Sequence, residues 1–531
     1  METAAAVRVP VSARSDVFAA AALAAVSSVL VAVLAPPGGD AAAHLYRTEL
    51  LREGHVLWDN LWFAGHYPLA SYSLLYYVPA ALVGNVLLVV AATIVSSALF
   101  ASIAAAEWGA AARWPIRLFA VLAAGPLYTG TYSYAAGLAA ALGAVRLAQT
   151  GRVGSAVGCA GLALGFSPLA FVFACLALAA TAIARGRVDR PVVLAGAGLA
   201  ALAGLKLGLL VVFPSEGRYP YSPVSLMAVL AVSGLGAALA ARAERARPLA
   251  AFFALWGVLN LVAFAVPSPF GDNLTRPRTL VLALVLLAAV LARFQPRWLA
   301  AAALAVAAVF NLGPDLSALP KRIEDAHTAE AAFWQPAIDF VSPRTQGYRV
   351  EVVPTFGHWE AYRLPRAGVP IARGWYRQLD MAQNPELYRR PLEPAAYRAW
   401  LRRLGVRFVL LPQARLGPLG AGREAALLRS DRSGLRTVFR DADWTIYELP
   451  KATPILTGPA AVSLERLGHE RVAGNVAAPG TYRLRVRWTR HRRVTGPVCL
   501  EREADGMTRV IARRAGRFEL APALAGGGGG C

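Results

Sequence analysis

The sequence predicts a polytopic α-helical membrane protein, with about eleven transmembrane helices and an exported C-terminal region that combines an α/β domain with a β-sandwich-like domain. Composition is the first reason. The chain is 56% hydrophobic and 16% charged over 531 residues, with mean hydropathy +0.46, too apolar for a wholly soluble protein of this length. The second is uneven polarity: runs of Ala, Leu, Val and Gly fill the chain to about residue 312, and the remainder is ordinary in polarity. The third is where the charge falls. The formal net charge is +22, yet the Arg residues of the apolar region stand singly or in small groups between apolar runs, and Lys occurs only at 206, 321 and 451. Such Arg residues read as topology signals and not as a nucleic-acid surface, so no nucleic-acid partner is expected.

Taken in order, residues 1–16 carry Arg8 and Arg14 ahead of an apolar run from Val17 to about Pro36. That run exceeds a typical signal-peptide core, and APPGGD is a poor cleavage site, so an uncleaved first helix with a cytoplasmic N-terminus is expected. The external loop 39–72 follows. Its first thirty residues hold Asp40, His44, Glu49, Glu53, His55, Asp59 and His66 among Tyr46, Trp58, Trp62 and Tyr67, in a protein otherwise poor in carboxylates and histidines. Further apolar runs lie at about 82–106, 116–128, 133–148, 153–166, 168–184, 191–213, 224–241, 249–266, 279–293 and 298–312. Several are short of the ~20 residues that cross a bilayer, notably the pairs meeting at Gly130 and at Ser167-Pro168.

Threaded from a cytoplasmic N-terminus, these runs place Arg113 with Arg117, Arg152, the Arg185/Arg187/Arg190 and Arg242/Arg245/Arg247 clusters, and Arg293 with Arg297 inside. An odd number of spans then exports everything from about residue 313. The domain expectation is a transmembrane domain over residues 1–312, an exported α/β domain over 313–454, a β-sandwich-like domain over 455–521 and a disordered tail over 522–531. Strand-like runs such as Val406–Leu411 beside the helix-like Ala395–Leu404 suggest the α/β domain. Short runs broken by Pro-Gly and Asp-Gly turns suggest the sandwich. The four cysteines form no disulfide framework or zinc spacing, and no Walker A loop, dinucleotide fingerprint or nucleophile elbow stands in a credible context.

Asp40 just beyond the first span, a long amphipathic external loop, many spans and an exported C-terminal region together resemble the GT-C membrane glycosyltransferases. Within that class the chain looks closest to bacterial membrane proteins labelled 6-pyruvoyl-tetrahydropterin synthase-related, a label that names no activity here. Further similar segments are YTGTYSYAAG at 128–137, PSPFGDNLTRPR at 267–278 and HWEAYRLPRAGVPIARGWYRQLDMAQNPELY at 358–388. The resemblance implies transfer of a sugar from a polyprenyl-phosphate-linked donor to a glycan or lipid acceptor of the cell envelope, at the outer face of the cytoplasmic membrane. Asp40 would be the general base.

The chemistry agrees, since an acceptor hydroxyl must lose a proton as it attacks, and the departing lipid phosphate needs cations. Arg276 and Arg278, with Arg218 behind them, are the candidates for that phosphate because a guanidinium binds its oxygens in bidentate fashion. Lys206, the lone lysine of the apolar region, is another, with snorkelling to the interface as its plainer role. Trp58, Trp62 and His66 are candidate sugar contacts, although interface anchoring accounts for the tryptophans equally. Asp40 also suits an N-cap. His44, four residues on and on the same helical face, is a substrate contact or, with Asp40, two ligands toward a divalent cation such as Mg or Mn. Asp272 reads as a turn former beside Asn273. From another class, a non-catalytic transporter or flippase, or an envelope-assembly scaffold, accounts for the same external loop and basic residues. Clustering of polar groups outside the membrane, not at mid-span, favours the enzyme.

Overall fold

The computed structural model describes residues 11–524 except 66, 71, 187, 216 and 419, together with 530 and 531. The chain forms two compact units. One comprises the chain up to His44 with Tyr72–Pro214 and Arg218–Pro320, and the other comprises Leu45–Ser71, Ser215–Gly217 and Lys321–Cys531. Most of the loop that begins at Gly39 therefore belongs to the unit that holds the C-terminal region.

The first unit is helical. Every apolar run after the first emerges as a helix: Asn85–Trp108, Arg113–Leu122, Tyr132–Gln149, Val153–Phe166, Pro168–Arg185, Arg190–Val212, Pro223–Ala240, Arg247–Ala265, Arg278–Leu291 and Arg297–Asp325, the last carrying Pro314 and Pro320 inside it. Among the described residues, eight helical stretches, the first being Arg14–Leu34, are long and apolar enough to cross a membrane. Val153–Phe166 is a shorter apolar helix, and Tyr132–Gln149 is not among the eight. The expected break at Ser167-Pro168 is present: Ser167 is extended and Pro168 opens the next helix, where its missing N–H costs nothing.

Surface chemistry identifies the solvent of this unit. Arg190–Val212 has no buried residue, and Leu205, Leu207 and Val211 are each more than three-fifths exposed. A helix apolar all round is stable in lipid, where its backbone bonds are satisfied internally and its side chains match the solvent. Among the described residues, the exposed large apolar side chains of the second unit are only Ile323 and Leu524. The first unit is thus built as a helical membrane protein. Its interior is a cluster of small residues around Phe100, Phe119, Phe253 and Trp256, the composition that lets helices approach closely without a hydrophobic driving force.

The two ends of the first unit carry different chemistry. At one, Asp16 meets Arg113 at 3.6 Å, and Trp108 Nε1 and the Arg245 guanidinium donate to the carbonyls of Arg245 and Glu107 respectively. At the other stand Gly38, Asp40, Gly130, Arg276 and Arg278.

The second unit contains three four-stranded sheets. In the first, β1 (Arg349–Val352), β2 (Val406–Pro412), β3 (Arg436–Arg440) and β4 (Trp444–Glu448) run in the order β1-β2-β4-β3, with β1 parallel to β2 and the other pairs antiparallel. Beyond β1, Ile371 bridges both Val350 and Trp62, so the loop segment 61–63 adds a further layer of backbone pairing. The amide of Ile371 donates to Leu61 and that of Phe63 to Ile371.

The other two sheets use β5 (Leu456–Thr457), β6 (Val462–Leu467), β7 (Val472–Val476), β8 (Gly480–Arg487), β9 (Arg492–Thr495), β10 (Val498–Arg502), β11 (Met507–Ala512) and β12 (Gly516–Pro522), in the orders β10-β11-β8-β5 and β6-β7-β12-β9. Tyr482, Leu484 and Val486 of β8 alternate inward and join Val472, Phe518 and Leu520 of the other sheet in one core, which is sandwich packing. Where a disordered tail was expected from residue 522, β12 runs through Pro522, and Cys531 is disulfide-bonded to Cys499 with Cα atoms 5.1 Å apart. Residues 525–529 lie outside the described residues. One crosslink escapes a spacing argument because its partners, 32 residues apart, make no pattern.

Candidate functional site

In the first unit the site is built on a close approach of two glycines. A Cβ on Gly38 would lie 2.2 Å from the amide nitrogen of Gly130, and one on Gly130 would lie 2.5 Å from that of Ala41 and 2.9 Å from that of Asp40. Gly130 also has φ +80°, a left-handed conformation that favours glycine. This contact, with the Asp40 amide donating to the Thr129 carbonyl at 3.3 Å, fixes Asp40 against the turn of the YTGTYSYAAG segment. Asp40 then stands at the start of the helix Ala41–Arg52.

Its carboxylate is held by Arg276, Nη2 donating to Oδ2 at 3.1 Å, with each side chain a little over one-fifth exposed. Among the described residues no helix-start amide bonds the carboxylate, so the capping alternative has no hydrogen bond behind it. Around Arg276 stand the phenols of Tyr72, Tyr219 and Tyr134, and the buried Tyr134 hydroxyl has no hydrogen-bond partner among the described residues. Arg278 is paired with Asp315, Nη2 to Oδ1 at 2.8 Å, and the Asp315 carbonyl accepts from Tyr128 at 2.8 Å. His44 is buried in a cage of Tyr76, Tyr77 and Tyr132, whose ring centres lie 5.4, 5.9 and 5.5 Å from its own. Its Nδ1 is 3.2 Å from the Tyr77 hydroxyl.

Asp40, Arg276, Arg278 and His44 thus share the first unit, and Asp40 with Arg276 are in contact. Arg218 is exposed. Lys206 is half-buried on the helix Arg190–Val212. Asp272 lies in the turn Gly271–Thr275, its amide donating to Pro220 at 3.3 Å. Asp40 and His44 belong to no group of three or more metal-ligand side chains among the described residues.

Trp58 and Trp62 belong to the second unit, and both are buried. Trp62 stacks on Tyr46 at 4.7 Å and donates to the Ala361 carbonyl at 2.8 Å. Trp58 donates to Asn60 at 2.8 Å beneath the Arg492 guanidinium. They act as packing and hydrogen-bonding residues of that unit rather than as open platforms. His66 lies outside the described residues.

The segment 358–388 lines a cavity in the second unit with Glu351, and it encloses a charge cluster that no sequence pattern announced. Arg373 donates to Asp380 through Nε at 3.0 Å and Nη2 at 2.6 Å, and Tyr388 donates to the same oxygen. Arg373 Nη1 stands 3.8 Å from Glu351 and 3.7 Å from Glu424. Neither oxygen of the fully buried Glu351 has a hydrogen-bond donor among the described residues. Burial first, and then the neighbouring Glu424, push the Glu351 carboxyl well up, with Arg373 opposing, and burial likewise raises Glu424. The cavity measures about 20 Å³. A water fits that space, and a sugar or lipid does not.

No protein-family model and no curated protein matches the chain.

Proposed function

We propose that this protein is a membrane glycosyltransferase of GT-C type, moving a sugar from a polyprenyl-phosphate-linked donor to a cell-envelope acceptor at the outer face of the cytoplasmic membrane. The observation that carries the reading is the Asp40–Arg276 pair. A carboxylate placed beside an acceptor hydroxyl can accept its proton as the hydroxyl attacks. The guanidinium has five donors and uses one nitrogen on Asp40, which leaves it able to engage the phosphate of an incoming donor. Arg278 lies two residues on, and Arg218 and Lys206 are further cations of the same unit. The chain's own residues supply both base and counter-charge, and His44 in its tyrosine cage serves as a substrate contact.

The oxidised Cys499–Cys531 pair supports an extracytoplasmic second unit, because disulfides persist in oxidising compartments. The test is transfer from a panel of polyprenyl-phosphate sugars by purified protein in lipid. Asp40→Asn preserves size and removes the basic carboxylate, so turnover should fall by about 10²- to 10⁴-fold with donor binding retained. Arg276→Ala should instead weaken donor binding. Undiminished turnover in Asp40→Asn would sink the base assignment. Wild-type protein that binds the lipid-linked sugar without ever transferring it would point to a transporter or scaffold.

A further inference from the structure

The helix Ala41–Arg52 ends in a turn at Gly54, where the amides of Glu53, Gly54 and His55 donate to the carbonyls of Glu49, Leu51 and Leu50. That turn presents Glu53 and His55 beside the hairpin between β6 and β7, which carries His469. All three belong to the second unit. Glu53 Oε2 lies 3.9 Å from His55 Nε2 and 4.0 Å from His469 Nε2, the two imidazole centres are 4.8 Å apart, and one ligand atom from each residue lies within 4.8 Å of the others.

Behind each imidazole stands a carboxylate. His469 Nδ1 is 3.2 Å from Asp59 Oδ1, and Asp59 is itself held by Tyr46, whose hydroxyl donates to Oδ2 at 2.8 Å. The same Nδ1 lies 3.3 Å from the Tyr46 hydroxyl, and with its proton donated to Asp59 the Nε2 lone pair would be left for a metal. His55 Nδ1 lies 3.7 Å from Glu470 Oε2. The frame is tied down by backbone bonds: Asn60 N donates to the His469 carbonyl at 2.7 Å, Asn60 Nδ2 to Gly468 at 3.0 Å, and the amides of Leu57 and Trp58 to Glu470 Oε1 at 2.7 and 3.3 Å.

We infer that Glu53, His55 and His469 form a transition-metal site, suited to Zn²⁺. Two imidazoles and one carboxylate are the ligand set of that borderline ion, and three protein ligands leave a fourth position for water. Tetrahedral ligands ~2.0–2.1 Å from zinc sit roughly 3.4 Å apart, so Glu53 must close on each imidazole by about half an ångström. The two imidazole nitrogens, within 4.8 Å of each other, must close by up to about 1.4 Å through rotation of the part-exposed His55 ring. Glu53, half exposed, has the freedom to supply its share. The Asp59 carboxylate behind His469 matches the usual carboxylate–histidine–zinc arrangement, which orients the ring, while Glu470 stands 3.7 Å from His55 as a nearby negative charge. Glu53, Asp59 and Glu470 give the neighbourhood a negative field that attracts a cation. Bound metal would clip the loop turn to the sandwich hairpin across more than 400 residues of sequence.

The experiment uses the full-length, tag-free protein in detergent, stripped with chelator and titrated with Co²⁺ as an optical probe, then with Zn²⁺ against a chromophoric competitor. One Zn²⁺ per chain, displacing Co²⁺ and raising the thermal midpoint, is the expected result. His55→Ala, at a ring one-third exposed, and His469→Ala should each weaken binding at least ~100-fold, and Asp59→Asn by about 10- to 100-fold. The His55→Ala protein should keep its metal-free midpoint and lose the zinc-dependent rise. Binding below one ion per chain, or equal affinity in wild type, His55→Ala and His469→Ala, would overturn the site. Because none of these variants touches Asp40 or Arg276, the outcome is independent of the transferase reading.

Discussion

At the residue scale the site depends on what is absent from two positions. Gly130 and Gly151 share nearly the same left-handed backbone, φ +80° and +77°, but a Cβ on Gly151 meets nothing within 4 Å, whereas one on Gly130 meets the backbone of Asp40 and Ala41. Both alanine substitutions incur the left-handed penalty of about 1–2 kcal/mol. Only Gly130→Ala adds a clash with main-chain atoms that cannot rotate away. Gly130→Ala should therefore lower thermal stability further than Gly151→Ala and displace Asp40, reducing sugar transfer at least ~10-fold by the sensitivity of catalysis to placement. Matched melting curves and turnover for the two variants check this, and equal behaviour would mean that the Gly38–Gly130 contact does not position Asp40, the proposed base. Asp40 was legible in the sequence because an acidic residue after an apolar run stands out. Its partner was legible only as a type: Arg276 was named for phosphate, and nothing in a separation of 236 residues told of the ion pair.

At the scale of elements, the apolar runs could be read because a membrane helix is a local property, set by length and composition. The fate of Leu45–Ser71 could not, because its pairing of Trp62 with Ile371 and of Asn60 with His469 is long-range. Trp58 and Trp62 looked like surface aromatics for the same reason. Strand β1 shows the opposite difficulty, since its sequence RVEV alternates charge with valine like a half-exposed strand, yet all four residues are buried. Pairing with Ile371 covers the open edge of β1, while Arg373 and Glu424 stand beside the Glu351 side chain. Glu351 bears a consequence for pH. Its carboxyl in the folded protein is raised above the ordinary glutamate value of 4.5, by burial and then by Glu424. The folded state therefore holds a proton that the unfolded chain releases, so the contribution to stability is complete below pH 4.5 and is lost as pH rises toward the folded value. Glu351→Gln keeps the shape and removes the titration. Thermal midpoints of wild type and variant should agree near pH ~4 and diverge toward pH ~7, with the variant higher. Parallel midpoints across that range would show that Glu351 remains ionised when folded.

At the scale of the whole molecule, membership of one compact unit constrains topology. Leu45–Ser71, Ser215–Gly217 and Lys321–Cys531 belong to one compact unit, and we propose that this unit lies on one side of the membrane that the helices cross. An even number of crossings must then separate each of these segments from the next. The eight long apolar stretches alone put three between Ser71 and Ser215, which is odd. Treating Asn85–Trp108 and Arg113–Leu122 as separate crossings and adding Tyr132–Gln149 and Val153–Phe166 gives six, and four more follow Gly217. Under that proposal, and with the first helix, the count is eleven, the number expected from the Arg distribution. Arg113–Leu122, a helix of 10 residues and so ~15 Å long, serves as a crossing only together with Gly125–Thr129, which ends the same apolar stretch. The contacts of Asp16 with Arg113 and of Trp108 with Arg245 put two of the arginines expected inside at the end opposite Asp40, as the proposed orientation requires. In a Cys159→Ser, Cys175→Ser background, Ser215→Cys and Ala460→Cys should react with a membrane-impermeant maleimide in right-side-out spheroplasts, and the exposed Thr150→Cys only after permeabilisation. Protection of positions 215 and 460 together would place the second unit in the cytoplasm and remove the compartment in which a lipid-linked donor is used. Labelling of one without the other would overturn the proposed topology, because both positions belong to one compact unit.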